Sequence, residues 1–225
     1  MDGAAAALRS RRAWAALLLT AAGLLLPAGC ADSAASGPAA AKPPASRPAA
    51  RTLLYSDDFT HGLSNYAVEL ERGGSVRAAG GHLVVDVPRG CTIWLKRQFQ
   101  GPVEIDYTAT LISHGGPNDR VSDLNCFWMA TDTRNPSDFF AVHRTGKFSD
   151  YDQLKTYYVG QGGNYNTTTR FRRYIGVKAN RPLLPQYDLT APQFLLTAGT
   201  PYHIRLIADG KHIAYWNMGK QIFAY

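Results

Sequence analysis

Gly160-Gln-Gly-Gly-Asn-Tyr-Asn-Thr-Thr-Thr-Arg-Phe-Arg-Arg-Tyr174 is the stretch from which the rest of the chain is read. It begins as a glycine-rich turn and continues as a polar, arginine-bearing strand. At a strand's period of two, Asn166, Thr168, Arg170, Arg172 and Tyr174 share one face, and Thr167, Thr169, Phe171, Arg173 and Ile175 share the other. The first face is a row of hydrogen-bond donors ending in an aromatic ring. Such a row suits a polar, anionic, ring-shaped ligand, an acidic sugar for example. An ordinary solvated sheet face is the simpler alternative. Two arginines two apart, the flanking asparagines and the Gly-Gly approach favour the binding face.

Outward from this stretch, short alternating runs between turn residues dominate, and no amphipathic helix of useful length appears. That pattern predicts an all-β, antiparallel sandwich. Val103 to Leu111 alternates cleanly, with Val103, Ile105, Tyr107, Ala109 and Leu111 on one side. Leu124 to Ala130 is apolar on both faces and reads as a central strand with Asn125 as its polar member. Leu83, Val85 and Val87 point one way from the strand that follows Gly80-Gly81. Thr52 to Tyr55, Tyr66 to Leu70 and Gly74 to Ala78 are further expected strands. Tyr202 to Asp209, a turn at Asp209-Gly210, His212 to Asn217 and a second turn at Met218-Gly219 make a terminal meander. Ala179 to Phe194 is punctuated by proline and has no regular pattern. It is long enough for a functional loop or a cover over a sheet edge.

The first fifty residues are a different material. Arg9, Arg11 and Arg12 precede an apolar run, Ala13 to Leu26, that is short for a permanent span. It ends in Leu26-Pro27-Ala28-Gly29-Cys30, which resembles the lipobox of bacterial lipoproteins, with leucine one step earlier than usual. The resemblance implies a signal peptide over residues 1–30, lipidation at Cys30, attachment to a membrane through that lipid and a place in the cell envelope. A cleaved signal peptide and a secreted or periplasmic protein are the alternative. Residues 31–51 are Ala/Pro/Ser-rich and read as a disordered tether, leaving 52–225 as one domain. Of 24 Lys/Arg and 17 Asp/Glu, five and two fall in the first fifty residues, so the remainder carries a net charge of only about +4. That suits an acidic polysaccharide and is too weak and dispersed to argue for nucleic acid. Cys91 and Cys126 allow one disulfide or two separate buried thiols.

The opening Leu54-Tyr-Ser-Asp-Asp-Phe59 and the closing Tyr202-to-Phe223 meander resemble the concanavalin-A-like (LamG-like) jelly-roll superfamily. Leu124-Asn-Cys-Phe-Trp-Met-Ala130 and the Gly162-to-Tyr174 run resemble a bacterial, exported family of unassigned function linked to polysaccharide use. The resemblance implies a jelly roll and a further strand after Phe223, so either a truncated product or a final strand supplied by a partner or a longer form is expected. A carbohydrate-acting domain, working as a monomer, is implied too.

Two kinds of chemistry are open. Glu104-Ile-Asp106 resembles the Glu-x-Asp-x-x-Glu strand of jelly-roll glucanases, but Ala109 stands where the acid would be, so hydrolysis by paired carboxylates lacks its general acid. A polysaccharide lyase needs a group that neutralises a uronate carboxylate and a base for the C5 proton. Arg170 and Arg172 are the candidate neutralisers, His143 or Tyr158 the candidate base. Asn125, Asn164, Asn166 and Tyr174 are candidate substrate contacts. Glycan binding without catalysis is the rival, with Trp94, Trp128 and Trp216 as stacking platforms. No cofactor is expected. Calcium at Asn118, Asp119 and Asp123 is the weak alternative, because these residues match no defined loop.

Overall fold

The computed structural model describes residues 51–225 together with the backbone of Ala4–Ala7. The leader's remaining residues, Cys30 and the tether up to residue 50 lie outside the described residues. The strands are β1 (Ala4–Ala7), β2 (Tyr66–Leu70), β3 (Ser75–Ala79), β4 (His82–Asp86), β5 (Cys91–Leu95), β6 (Val103–Thr110), β7 (Leu124–Asp132), β8 (Leu154–Gly162), β9 (Thr168–Ile175), β10 (Asp188–Leu189), β11 (Pro201–Ala208), β12 (Ile213–Asn217) and β13 (Lys220–Ala224).

They form an all-β, antiparallel sandwich. One sheet runs β13-β12-β11-β6-β1-β4-β3, the second runs β10-β9-β8-β7, and β2 pairs with β5. The backbone of β1 lies antiparallel to both β4 and β6, with Ala6 opposite Leu83 on one side and Ala109 on the other. Thr52 to Tyr55, expected as a strand, forms none. Every ladder is antiparallel, so each strand needs only a short return.

The core sits between the two sheets. β11 sends Tyr202, Ile204, Leu206 and Ala208 inward, every second residue, against Trp128, Val159 and Phe171 of the smaller sheet. Tyr107 and Ala109 of β6 and Leu111 just after it face the same way, as their alternation predicts. β8 is the most enclosed strand, with Tyr158, Val159, Gly160, Gln161 and Gly162 all buried. Gln161 is held there by two hydrogen bonds to its Oε1, from Tyr215 Oη at 2.5 Å and Asn217 Nδ2 at 2.9 Å. Buried polar groups paired in this way avoid the penalty of an unmet donor or acceptor. Cys91 and Cys126 are separate free thiols, pushed up by burial to about 11 and about 12 respectively.

The turn from β8 to β9 is built on left-handed backbone. Gly162, Asn164, Tyr165 and Asn166 all have φ between 53° and 67°. Glycine and asparagine adopt this region at low cost; tyrosine does not. Tyr165 is 90% exposed as well. A Cβ at Gly162 would also meet Leu196 Cδ1 at 2.4 Å, so the position excludes side chains twice over.

Candidate functional site

Register assembles one face of the smaller sheet. Asn125 lies opposite Gly160, Gly160 opposite Arg170, and Arg170 opposite Asp188. Two residues along, Phe127 opposes Tyr158 and Tyr158 opposes Arg172; then Thr156 opposes Tyr174. Residues opposite each other in a ladder project to one side. Asn125, Phe127, Tyr158, Arg170, Arg172 and Tyr174 therefore share the side away from the inter-sheet core.

Aromatic rings line this side. Phe127 is 4.8 Å from Tyr158, 5.3 Å from Tyr151, 5.6 Å from Trp94 and 5.9 Å from Tyr174, centroid to centroid. Phe148 is 5.6 Å from Tyr158. Such offset and edge contacts stabilise a rigid cluster. Gly160 completes it by having no side chain, because a Cβ there would lie 2.4 Å from Tyr158 Oη. The phenol of Tyr158 occupies that space.

A buried ionic network braces the cluster. Arg144, with no exposed side-chain surface, donates through Nε to Glu69 Oε1 and through Nη1 to Asp132 Oδ2, each at 3.0 Å. Arg134 forks onto the same Asp132 at 2.9 and 2.6 Å. Burial acts to raise the Asp132 carboxyl, but the hydrogen bonds from Arg134 and both guanidinium charges hold it below its usual value. Glu69 Oε2 accepts from Trp94 Nε1 at 3.0 Å and from Tyr151 Oη at 2.8 Å. Arg144 also lies 4.1 Å from the Phe139 ring centroid, a cation–π distance. Sequence reading found none of these contacts, because the members span β2, β5, β7 and the loop between β7 and β8.

The candidate residues fare differently. Arg170 is occupied: its Nε and Nη2 donate to Asp188 at 2.9 and 3.0 Å. Arg172 forms no ion pair among the described residues, and its Nη1 donates to the carbonyl of Arg181. Burial lowers its pKa, and the neighbouring Arg170 and Arg181 charges add to that. Tyr158 is pushed well up by burial; its Oη makes no hydrogen bond with a described residue. Tyr174 is pushed up to about 12 by burial, with Arg181 and Arg172 pulling the other way. Its buried Oη lies near Arg181 without a well-formed hydrogen bond.

Asn125 is exposed on the face. Asn166 is not on it. The strand begins at Thr168, and both ends of the Asn166 amide are spent on the Leu196 backbone at 2.8 Å. Asn164 donates to Thr168 Oγ1 at 3.2 Å within the turn. His143 lies apart, in a shallow groove with Ala67, Val68, Glu69, Lys96 and Phe140. Arg173 is exposed and forms no ion pair among the described residues.

The other candidates resolve into structural contacts. Trp128 is a core residue, 3% exposed. Glu104 and Asp106 lie on the outward side of β6. Arg205 reaches both at 3.3 Å, and His203 pairs with Asp106. Asp119 accepts from the backbone of His114 and Gly116, Asn118 donates to Asp86, and Asp123 accepts from Ser122. These three point to different partners. Among the described residues no three His, Cys, Asp or Glu side chains converge as a metal site.

Over residues 85–225 the chain matches the family described as "Domain of unknown function (DUF6250)". No curated protein and no solved structure matches it.

Proposed function

We propose that this chain, which belongs to the DUF6250 family, uses the aromatic face of its smaller sheet to hold an acidic, uronate-containing polysaccharide and cleaves it by elimination. The observation that carries the reading is Arg172. It is a half-buried cation with no carboxylate partner among the described residues, on a ring-lined face beside two phenols, Tyr158 and Tyr174, that make no well-formed hydrogen bond with a described residue. A desolvated, unbalanced guanidinium favours an incoming carboxylate more than a solvated one does. Phe148, 40% exposed at the edge of the ring cluster, supplies apolar surface on which a sugar ring stacks.

In this reading Arg172 holds the uronate carboxylate and withdraws charge from it, which acidifies the C5 proton. Tyr158 Oη, ionised, takes that proton. The electron pair forms the C4–C5 double bond, the C4–O bond breaks, and the leaving oxygen takes a proton from the phenol. The sandwich is then a jelly roll of the concanavalin-A-like kind, in which one sheet face meets a glycan. The N-terminal lipid and envelope location belong to the same reading, as the means of holding the domain where polysaccharide is found.

Binding without chemistry is the second reading, and the phenols favour it. Burial pushes both Tyr158 and Tyr174 up, away from the ionised form that a base requires.

The test is incubation of the folded full chain with polygalacturonate, alginate and glucuronan, following the ultraviolet absorbance of the unsaturated product. Elimination predicts a rising signal that Arg172→Ala and Tyr158→Phe abolish and that Arg170→Ala only weakens, since Arg170 is already neutralised by Asp188. Binding of the polymers with no unsaturated product selects the second reading. Neither binding nor product overturns both.

A further inference from the structure

The segment between β9 and β10 brings a second guanidinium to the aromatic face. Arg181 stands with its guanidinium carbon 4.9 Å from the Phe148 ring centroid and its Nε 3.3 Å from Asp152 Oδ1. Its carbonyl accepts from Arg172, so the two arginines are adjoined through the backbone. Asp152, only 5% exposed, also accepts the Ala179 backbone N–H at 3.0 Å through Oδ2. One carboxylate thus fastens both the segment and its arginine.

The charges do not balance. Burial and the nearby Arg170 and Arg181 charges lower Arg172, and among the described residues the carboxylate that pairs with either Arg172 or Arg181 is Asp152. Even that pairing is loose: Asp152 Oδ1 makes no aligned hydrogen bond. Tyr174 Oη, on a residue 2% exposed, is a buried donor with no acceptor among the described residues. An unmet polar group of this kind is costly in a folded protein and is relieved by a ligand acceptor.

Resting on the function proposed above, we infer that Arg181 is the second arm of a two-guanidinium clamp. With Arg172 and Tyr174 Oη it closes on the carboxylate of one uronosyl residue, and Asp152 is the internal carboxylate that the ligand displaces from Arg181. Two guanidiniums facing one carboxylate give charge-assisted hydrogen bonds of fixed direction, which a neutral sugar does not satisfy. Arg181 is therefore a specificity residue. It selects an acidic over a neutral sugar, and Asp152 competes with the substrate for it.

The experiment is calorimetric titration of the full chain with oligosaccharides of galacturonate, alginate and glucuronan, and with the same oligosaccharides after carboxyl reduction. Wild type binds an acidic set more tightly than its reduced counterpart. Arg181→Gln loses about tenfold or more in affinity for the acidic set and leaves affinity for the reduced set unchanged, and Arg181→Lys falls between. Asp152→Asn, which removes the competitor while retaining an acceptor for Ala179, binds the acidic set more tightly than wild type. Equal losses on both sets for Arg181→Gln, or no loss, overturn the clamp while leaving the proposed function standing. A wild type that does not distinguish the two sets overturns the function and the clamp together. Should near-ultraviolet circular dichroism show Arg181→Gln to be misfolded, Asp152→Asn decides: weaker or unchanged binding of the acidic set refutes the competition on which the clamp depends.

Discussion

Gly160→Ala should damage the site through one contact. The Cβ of an alanine at 160 would sit 2.4 Å from Tyr158 Oη, 3.0 Å from its Cζ and 3.1 Å from its Cε1. The backbone itself has no objection, since Gly160 is not among the positive-φ glycines. The phenol has no easy retreat: Phe127, Tyr174 and Phe148 hold its ring at centroid distances of 4.8, 5.5 and 5.6 Å. Forcing an extra methyl into such packing costs about 1–3 kcal/mol. Tyr158→Phe removes the oxygen that makes the worst contact, and that oxygen has no hydrogen bond with a described residue to lose. Alone it should cost less than about 1 kcal/mol. In the double variant only the 3.0 and 3.1 Å approaches remain, so Gly160→Ala should be partly rescued, with a coupling of at least about 1 kcal/mol. Urea unfolding of the four proteins at neutral pH measures this. Coupling under about 0.5 kcal/mol, or a Gly160→Ala as stable as wild type, would refute the claim that the glycine is there to seat the phenol.

Three other perturbations probe the frame around it. Arg144→Met leaves Glu69 without its cation and Asp132 with only Arg134; breaking a buried pair from one side costs about 3–5 kcal/mol, and a denaturant midpoint close to wild type would show that the network carries little. The phenol of Tyr174, raised by burial to about 12, is protonated in both folded and unfolded chains below about pH 10. Its contribution to stability is intact there and is lost as pH rises through about 12, so spectrophotometric titration should show buried tyrosines ionising together with alkaline unfolding; full ionisation of all tyrosines in a still folded protein near pH 10.5 would contradict the burial. A chain beginning at Ala31 lacks β1, which leaves β4 and β6 without the neighbour they share. Hydrogen exchange at Leu83 and Ala109 should then be faster than in the full chain, and equal protection would mean that another segment fills the gap.

How much of this could be read from the sequence depends on how local each cause is. Strand parity is local. The alternation at Arg170, Arg172 and Tyr174 places all three on one face, and the ladder from β7 through β8 to β9 brings Asn125 and Tyr158 to the same side. The antiparallel sandwich follows from the same periodicity. Asn166 breaks the pattern for a reason that periodicity does not contain. Three consecutive left-handed residues, Asn164, Tyr165 and Asn166, end the extended backbone before it reaches Thr168. Gly160 was legible as turn chemistry, yet it lies within β8 and the turn begins two residues later. A glycine inside a strand more often marks a close approach, and here the approach is by the ring of Tyr158.

Charge pairing was the least legible feature, because it is settled by contacts between distant segments. Arg170 and Arg172 look equivalent in the sequence, two apart on one face. Asp188, eighteen residues further along the chain, arrives beside Arg170 after a proline-punctuated excursion and neutralises it. The same excursion brings Arg181 beside Arg172, so the second arginine gains another cation where the first gains an anion. One irregular segment thus decides which arginine is paired with a carboxylate and which has none among the described residues. Its residues carry no periodicity from which either outcome could be read. An exchange that tests the asymmetry directly is Asp188→Asn. It frees Arg170 without touching Arg172, and at a pair with both partners about 30% exposed it should cost no more than about 1 kcal/mol of stability. Affinity for a uronate should rise, because a second unpaired guanidinium then faces the ligand. Weaker binding from a protein that remains folded would mean that Asp188 positions Arg170 for the substrate, and that Arg170 belongs to the site after all.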